Sequence, residues 1–143
     1  MKLILFASLF AIVSAVAQAS TKSQAANATF IEAKDVKWAD VPGFPGVHTA
    51  TVEGSSDKGP HHAFMKFDPG FAAPLHHHSA NHFVSVVSGT LILNVDGQEH
   101  KLPAGSYFSF VNKGQHTTAC AAGAECVIFV DVRGKWDVVP EKK

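Results

Sequence analysis

The chain has 143 residues, with 12 Lys and Arg against 12 Asp and Glu, so it carries no formal net charge while its nine histidines are neutral. That balance supplies no basic field for nucleic acid or for an anionic membrane surface. The length allows one hydrophobic core of ordinary size and not two.

Met1-Lys2 is a short basic start, residues 3–16 are almost unbroken apolar sequence, and Ala17-Gln18-Ala19 follows as a small-x-small pattern. The apolar run is shorter than the roughly 20 residues a membrane span needs. Residues 1–19 are therefore expected to be a signal peptide cleaved after Ala19. The product would be secreted or periplasmic, with no membrane association once the signal is gone. Residues 20–28 are small, polar and unpatterned and read as a flexible leader. Asn27-Ala28-Thr29 matches the glycosylation triplet, which matters only in a host that glycosylates exported proteins. The remainder, 29–140, reads as a single domain. Its first part, 29–46, is an arm bearing Trp38 and Phe44, expected to pack over the outside of the domain or against a partner subunit.

Beyond the leader no run shows a helical period near 3.6. Strand-like runs recur at 29–33, 47–52, 61–67, 73–78, 82–87, 90–95, 98–102, 107–111, 115–120 and 126–132. Turn material separates them, as in Asp68-Pro69-Gly70, Pro103-Ala104-Gly105 and Asn112-Lys113-Gly114. The spacing predicts an all-β antiparallel fold, closed or in two sheets. Ser88-Gly89-Thr90 is expected to join 84–87 to 91–93 as a hairpin, and Asp96-Gly97 to turn 90–95 back onto 98–102. The phenylalanines in these runs read as core, with a few lining an apolar pocket.

Four of the nine histidines, His76, His77, His78 and His82, fall within one short stretch. On a strand the period of two sends His76 and His78 to one face and His77 to the other. A tight turn at Ser79-Ala80-Asn81 would fold His82 back beside them, and His116 follows another glycine-bearing turn. Neutral imidazoles suit borderline metals. Cys120 and Cys126 leave two readings open. They face each other across a short hairpin as a disulfide, or Cys126 is a small buried hydrophobe opening 126–130. Cys120 lies on the same strand face as His116, but a Cys–His nucleophile pair would conflict with the disulfide. No nucleophile elbow, His-Glu-x-x-His or phosphate loop is present.

Residues 47–132 resemble the cupin superfamily. Gly70-Phe71-Ala72-Ala73-Pro74-Leu75-His76-His77-His78 matches the first half of that family's first motif. The second half runs from Ser79 to Gly89, with His82 where the family has glutamate. Pro103-Ala104-Gly105 and His116 match the looser second motif, although Val111 replaces the usual proline and Cys120 the usual asparagine. Gly134-Lys135-Trp136 is similar to the ending of a subgroup of small cupins.

The resemblance implies a double-stranded β-helix or jelly-roll barrel, commonly a homodimer, holding one divalent transition metal per chain: zinc, copper, nickel, iron or manganese. Its ligands would be His76, His78, His82 and His116. With histidine in place of glutamate all four are neutral, so a divalent ion would keep its full charge and attract a small-molecule or anionic ligand. The exchange also removes an obvious carboxylate base, and the nearest acid in sequence is Asp68. The implied function is a metal-dependent oxygenase acting on a small organic molecule at a four-histidine centre, with the catalytic residues unassigned. The rival readings are a non-catalytic metal- or small-ligand-binding protein of the cell envelope, and a structural fold whose histidines hold no metal. Because unperturbed imidazole titrates near 6.5, metal affinity is expected to fall between about pH 7 and 5.

Overall fold

Strands β3 His61–Phe67 and β10 Cys126–Val132 show how the core is made. Their burial alternates residue by residue, with His61, Ala63, Met65 and Phe67 inward on one and Cys126, Ile128, Val130 and Val132 inward on the other. The two pair antiparallel with Cys126 opposite Phe67, Ile128 opposite Met65 and Val130 opposite Ala63, so inward residues meet inward residues. Burying each of Met65, Phe67, Ile128 and Val130 stabilises the fold by about 1.5–3 kcal/mol.

The computed structural model describes residues 28–141. The expected signal peptide at 1–19, the leader apart from Ala28, and Asn27 lie outside the described residues. The other strands are β1 Ala39–Asp40, β2 Val47–Gly54, β4 Ala72–His77, β5 His82–Ser88, β6 Thr90–Val95, β7 Gln98–Pro103, β8 Tyr107–Phe110, β9 His116–Cys120 and β11 Val139–Pro140. The expected strand at 29–33 is not formed. Residues 29–32 lack regular structure and Ala33–Asp35 is one 3-10 turn with no buried residue, so nothing there has a core face to hold a strand in place.

The expected barrel closure is overturned. The strands form two separate sheets, one ordered β1-β2-β3-β10-β5-β8 and the other β11-β4-β9-β6-β7, and no ladder among the described residues joins them. The reason lies at the edges. β1 and β11 have two residues each, β11 ends on Pro140, and β7 is almost wholly exposed, carries Glu99 and Lys101 and ends on Pro103. Short, charged or proline-ended strands make poor ladders, and they stop a sheet from pairing further. The sheets instead face each other across one apolar cluster. The six-stranded sheet adds Val47, Val84 and Val86 to it, and the five-stranded sheet adds Leu91, Leu93 and Cys120.

The expected hairpin at Ser88-Gly89-Thr90 also fails, because its two arms lie in different sheets. Both edges of β5 are taken by β10 and β8, and both edges of β6 by β7 and β9. Gly89 turns the chain from one sheet to the other. Its φ is +74°, and a Cβ there would stand 2.5 Å from the Glu125 carbonyl oxygen. Asp96-Gly97 does form the expected tight turn, both residues having positive φ, with Val95 opposite Gln98. Cys120 of β9 and Cys126 of β10 form a disulfide with their Cα atoms 5.7 Å apart, which ties the two sheets together and removes any cysteine nucleophile. Part of the arm joins the sheet edge and the core. β1 pairs with β2, and Val41 and Phe44 rest against the core.

Gly89→Ala combines the left-handed backbone penalty of about 1–2 kcal/mol with a collision against the Glu125 backbone. Gly97→Ala, at φ +80° with open space around the added Cβ, carries only the first cost. Urea unfolding should show a clearly larger loss for Gly89→Ala. Equal losses would refute the close approach at the corner.

Candidate metal centre

The histidine stretch reaches the core through an irregularity in β4. On β9 the inward residues are His116, Thr118 and Cys120, at the strand's period of two. Opposite them, Ala73 pairs with Thr118 and His76 with His116, so β4 passes one more residue than β9 between the two pairs. That bulge sits at Pro74-Leu75, where a proline without an N–H does least harm to a ladder. It switches parity. Ala73 lines the interior, and after the bulge so do His76 and His78. His77 points the other way and pairs with the Glu141 carboxylate.

The rings are oriented by main-chain carbonyls. Nδ1 of His76 donates to the Pro74 carbonyl at 2.8 Å, that of His82 to Ala80 at 3.2 Å and that of His116 to Gly114 at 3.0 Å. Each acceptor lies two residues before its histidine. His78 differs, because its Nδ1 donates to the carbonyl of the distant Asp137. A carbonyl oxygen only accepts, so all four rings carry their proton on Nδ1 and keep the Nε2 lone pair free. This is the arrangement that fixes tautomer and direction in metal-ligating histidines.

His76, His78 and His116 bring one ligand atom each to within 4.8 Å of one another, and all three are buried. Two nitrogens on one tetrahedral ion stand roughly 3.4 Å apart for bonds near 2.1 Å, so the donor set suits a divalent transition metal with little ring movement. His82 is equally buried and faces the same space. Its ring centroid lies 4.8 Å from that of His78 and 6.2 Å from that of His116, beyond the tight trio.

Two aromatic rings press on the cluster. Phe110 stacks on His116 at 3.8 Å with the planes 8° apart, and Trp136 stacks on His78 at 4.0 Å. Sequence reasoning gave Trp136 no part in the site. Only pairing of β11 with β4, Val139 opposite His77, folds the C-terminal segment over the histidines, and no local pattern signals that. Beyond the rings the cavity is apolar, with Phe44, Phe67, Phe71, Phe108, Met65 and Val138 in its wall. Among the described residues its wall contains no carboxylate, lysine or arginine. Asp68 does not line it; its carboxylate faces His48 on the exterior.

Burial disfavours the charged imidazolium here. It lowers His78 to about 3, against the partial support of the Asp137 carbonyl, with His82, His76 and His116 adding to the fall. Burial likewise lowers His116 to about 4, and lowers His76 and His82 from the ordinary value. Proton competition at His78 and His116 therefore sets in at a lower pH than unperturbed imidazoles would give.

The fold resembles that of cupins, and it holds a three-histidine cluster able to bind a metal ion. Residues 63–132 match the family model described as the Cupin domain. The polyketide cyclase RemF from Streptomyces resistomycificus superposes with a TM-score of 0.68 at 17% identity, covering 81% of this chain and 87% of its own. KdgF from Halomonas sp. gives 0.61 at 22% identity, covering 74% of this chain and 94% of its own. An RmlC-like cupin from Shewanella frigidimarina gives 0.59 at 23% identity, covering 73% and 89%. At these identities the likeness is one of fold. No curated protein sequence matches the chain.

Two outcomes are expected. Metal retained after dialysis should fall by at least about 100-fold in His76→Ala, His78→Ala or His116→Ala, and stay near the unaltered level in His77→Ala; equal loss in His77→Ala would refute the parity switch. Second, the unfolded chain protonates its histidines near 6.5 while the folded, metal-free protein resists doing so. Stability should therefore be full above pH 6.5 and decline as pH falls from 6.5 toward 4. A Tm that does not move across that window would contradict the burial of neutral imidazoles.

Proposed function

We propose that the protein is a divalent-metal enzyme, of the oxygenase type, acting on a small organic molecule that reaches the metal through an anionic or enolic oxygen. The observation that carries this reading is the donor set itself: imidazole nitrogens converging in a wall with no fixed charge. His76, His78 and His116 would hold the metal, with His82 as the fourth donor from its position beside His78. A bound divalent ion would supply Lewis-acid polarisation of the ligand oxygen or activation of dioxygen. The chain's own residues orient and exclude water. Phe110 and Trp136 hold two of the rings in place, and the phenylalanine-rich wall accepts the apolar body of the ligand. With neutral donors only, the ion's positive charge is offset by the incoming anion and by no protein carboxylate. RemF, which shares this fold, is a polyketide cyclase.

A second reading, a non-catalytic binder of the cell envelope, is favoured by one observation: no acid or base other than the imidazoles lines the cavity. The Cys120–Cys126 disulfide supports export, since such bonds persist in oxidising compartments. No helix among the described residues is long and apolar enough to cross a membrane. The partly exposed Val87, Tyr107 and Val111 support pairing of two copies, and a monomer mass by light scattering at micromolar concentration would remove that part of the proposal.

The protein should be loaded in turn with Fe(II), Mn(II), Ni(II), Cu(II) and Zn(II), then titrated with a catechol and an enolisable diketone. Spectral shifts report coordination and an oxygen electrode reports turnover. Oxygen uptake that requires both metal and ligand supports the enzyme. Binding of the probes without uptake for every metal would establish the binder instead. His82→Ala should weaken metal retention several-fold, and unchanged retention would limit the site to His76, His78 and His116.

A further inference from the structure

His78 is held unlike its neighbours. His76, His82 and His116 each bond a carbonyl two residues earlier on their own chain segment, so those rings are set by local geometry. His78 bonds the carbonyl of Asp137, 59 residues away in sequence, and is covered on its face by Trp136. Both come from the segment after β10. That segment is anchored at four further points that do not touch the metal-facing nitrogens. The Trp136 N–H donates to the Ser56 carbonyl, the Asp137 carboxylate accepts from the Ser79 N–H at 2.7 Å, and the Glu141 N–H donates to the Leu75 carbonyl. The fourth is the pair between the Glu141 carboxylate and His77.

We infer that residues 136–141 are a working part of the metal centre: docking this segment sets the tautomer and direction of His78, so metal binding and docking are thermodynamically coupled. The inference rests on the proposed role of His78 as a ligand. Undocked, His78 would lose its only carbonyl acceptor and its stacking partner at once. The ring could then carry its proton on either nitrogen and turn its lone pair away from the trio. Linkage makes the effect reciprocal, and a metal that prefers the docked state must hold the segment down by the same factor that the segment raises metal affinity. The histidine that the metal cannot reach, His77, gains a use in this arrangement. It is the side-chain latch on the opposite face of β4.

The probe is Ni(II), used with the full chain carrying Trp38→Phe. The sequence has two tryptophans, and Trp38 lies under Lys66 rather than at the site, so Trp136 becomes the sole tryptophan and is read by selective tryptophan excitation. Ni(II) should quench Trp136 stoichiometrically. It should also slow tryptic cleavage after the exposed Lys135, which lies just before the segment. Glu141→Ala, which touches neither His78 nor the metal, should lower Ni(II) affinity several-fold and speed that cleavage. Trp136→Ala, read by equilibrium dialysis because the reporting tryptophan is gone, should lower affinity by about 10–100-fold, the range typical of losing a residue that orients a ligand. Trp136→Phe should recover most of it, which keeps a general folding defect distinguishable. His116→Ala serves as the marker for the site itself. If His116→Ala loses Ni(II) while Glu141→Ala and Trp136→Ala bind it with unaltered affinity, and Ni(II) gives no protection at Lys135, the coupling is overturned and the metal site stands. If the parent chain takes up no Ni(II), both fall together.

Discussion

Each inward histidine of the cluster spends its Nδ1 proton on a main-chain carbonyl, and the metal-binding capacity of the protein depends on that bond. An imidazole offers two nitrogens and, when neutral, one proton. A carbonyl acceptor on Nδ1 leaves Nε2 as the only lone pair, and the acceptor's position sets where that lone pair points. The carbonyls of Pro74, Ala80 and Gly114 do this locally, each at the approach to a strand end or a bulge. The turns that precede the histidines therefore act as ring holders as well as connections.

The histidines are sorted by partner as well as by position. On the outside His48 meets Asp40 and Asp68, His62 meets Glu53 and Asp131, and His77 meets Glu141. Inside, His61, His76, His78, His82 and His116 meet carbonyl oxygens and no carboxylate. Burial beside neutral acceptors favours the neutral imidazole. His76, His78, His82 and His116 are thus kept in the form that binds metal, and the lowered pKa of His78 and His116 is the electrostatic expression of the same arrangement.

Such a cluster needs walls that do not shift. The sheets share no ladder, so their separation is set by core packing, by the turn at Gly89 and by the disulfide from β9 to β10. Cys126 and the space beside Gly89 lie in direct contact, which places the covalent tie and the backbone corner at one point. His116 starts the strand that Cys120 ends, so the strand is fastened at one end by the disulfide and presents its ligand at the other.

Much of this was readable in the residues, and the part that was not has a common cause. Alternation of polar and apolar side chains is a local property, so the all-β character, most strand positions, the Asp96-Gly97 turn and the opposition of His77 to His76 and His78 were all legible. The histidine pattern pointed to His76, His78, His82 and His116, and the structure draws His76, His78 and His116 into one tight group. Pairing partners are not local. Ser88-Gly89-Thr90 has the composition of a hairpin, yet β5 and β6 each find two other strands, and only the assembled sheets decide between those ladders. Closure depended on how the outermost strands end, and residues such as Pro103 and Pro140 acquire that meaning only once they are known to sit at sheet edges. The two open readings of Cys120 and Cys126 were resolved by the approach of β9 to β10 across the core. Trp136 and Asp137 lie 58 and 59 residues from His78 in sequence, so their place at the site rests on β11 pairing with β4. The sequence by itself determined which side chains can bind a metal and which face of a strand they occupy, because both follow from chemistry and a period of two. The tertiary structure alone decided which of them share a point in space and what holds each ring toward it, because those depend on contacts between segments far apart in the chain.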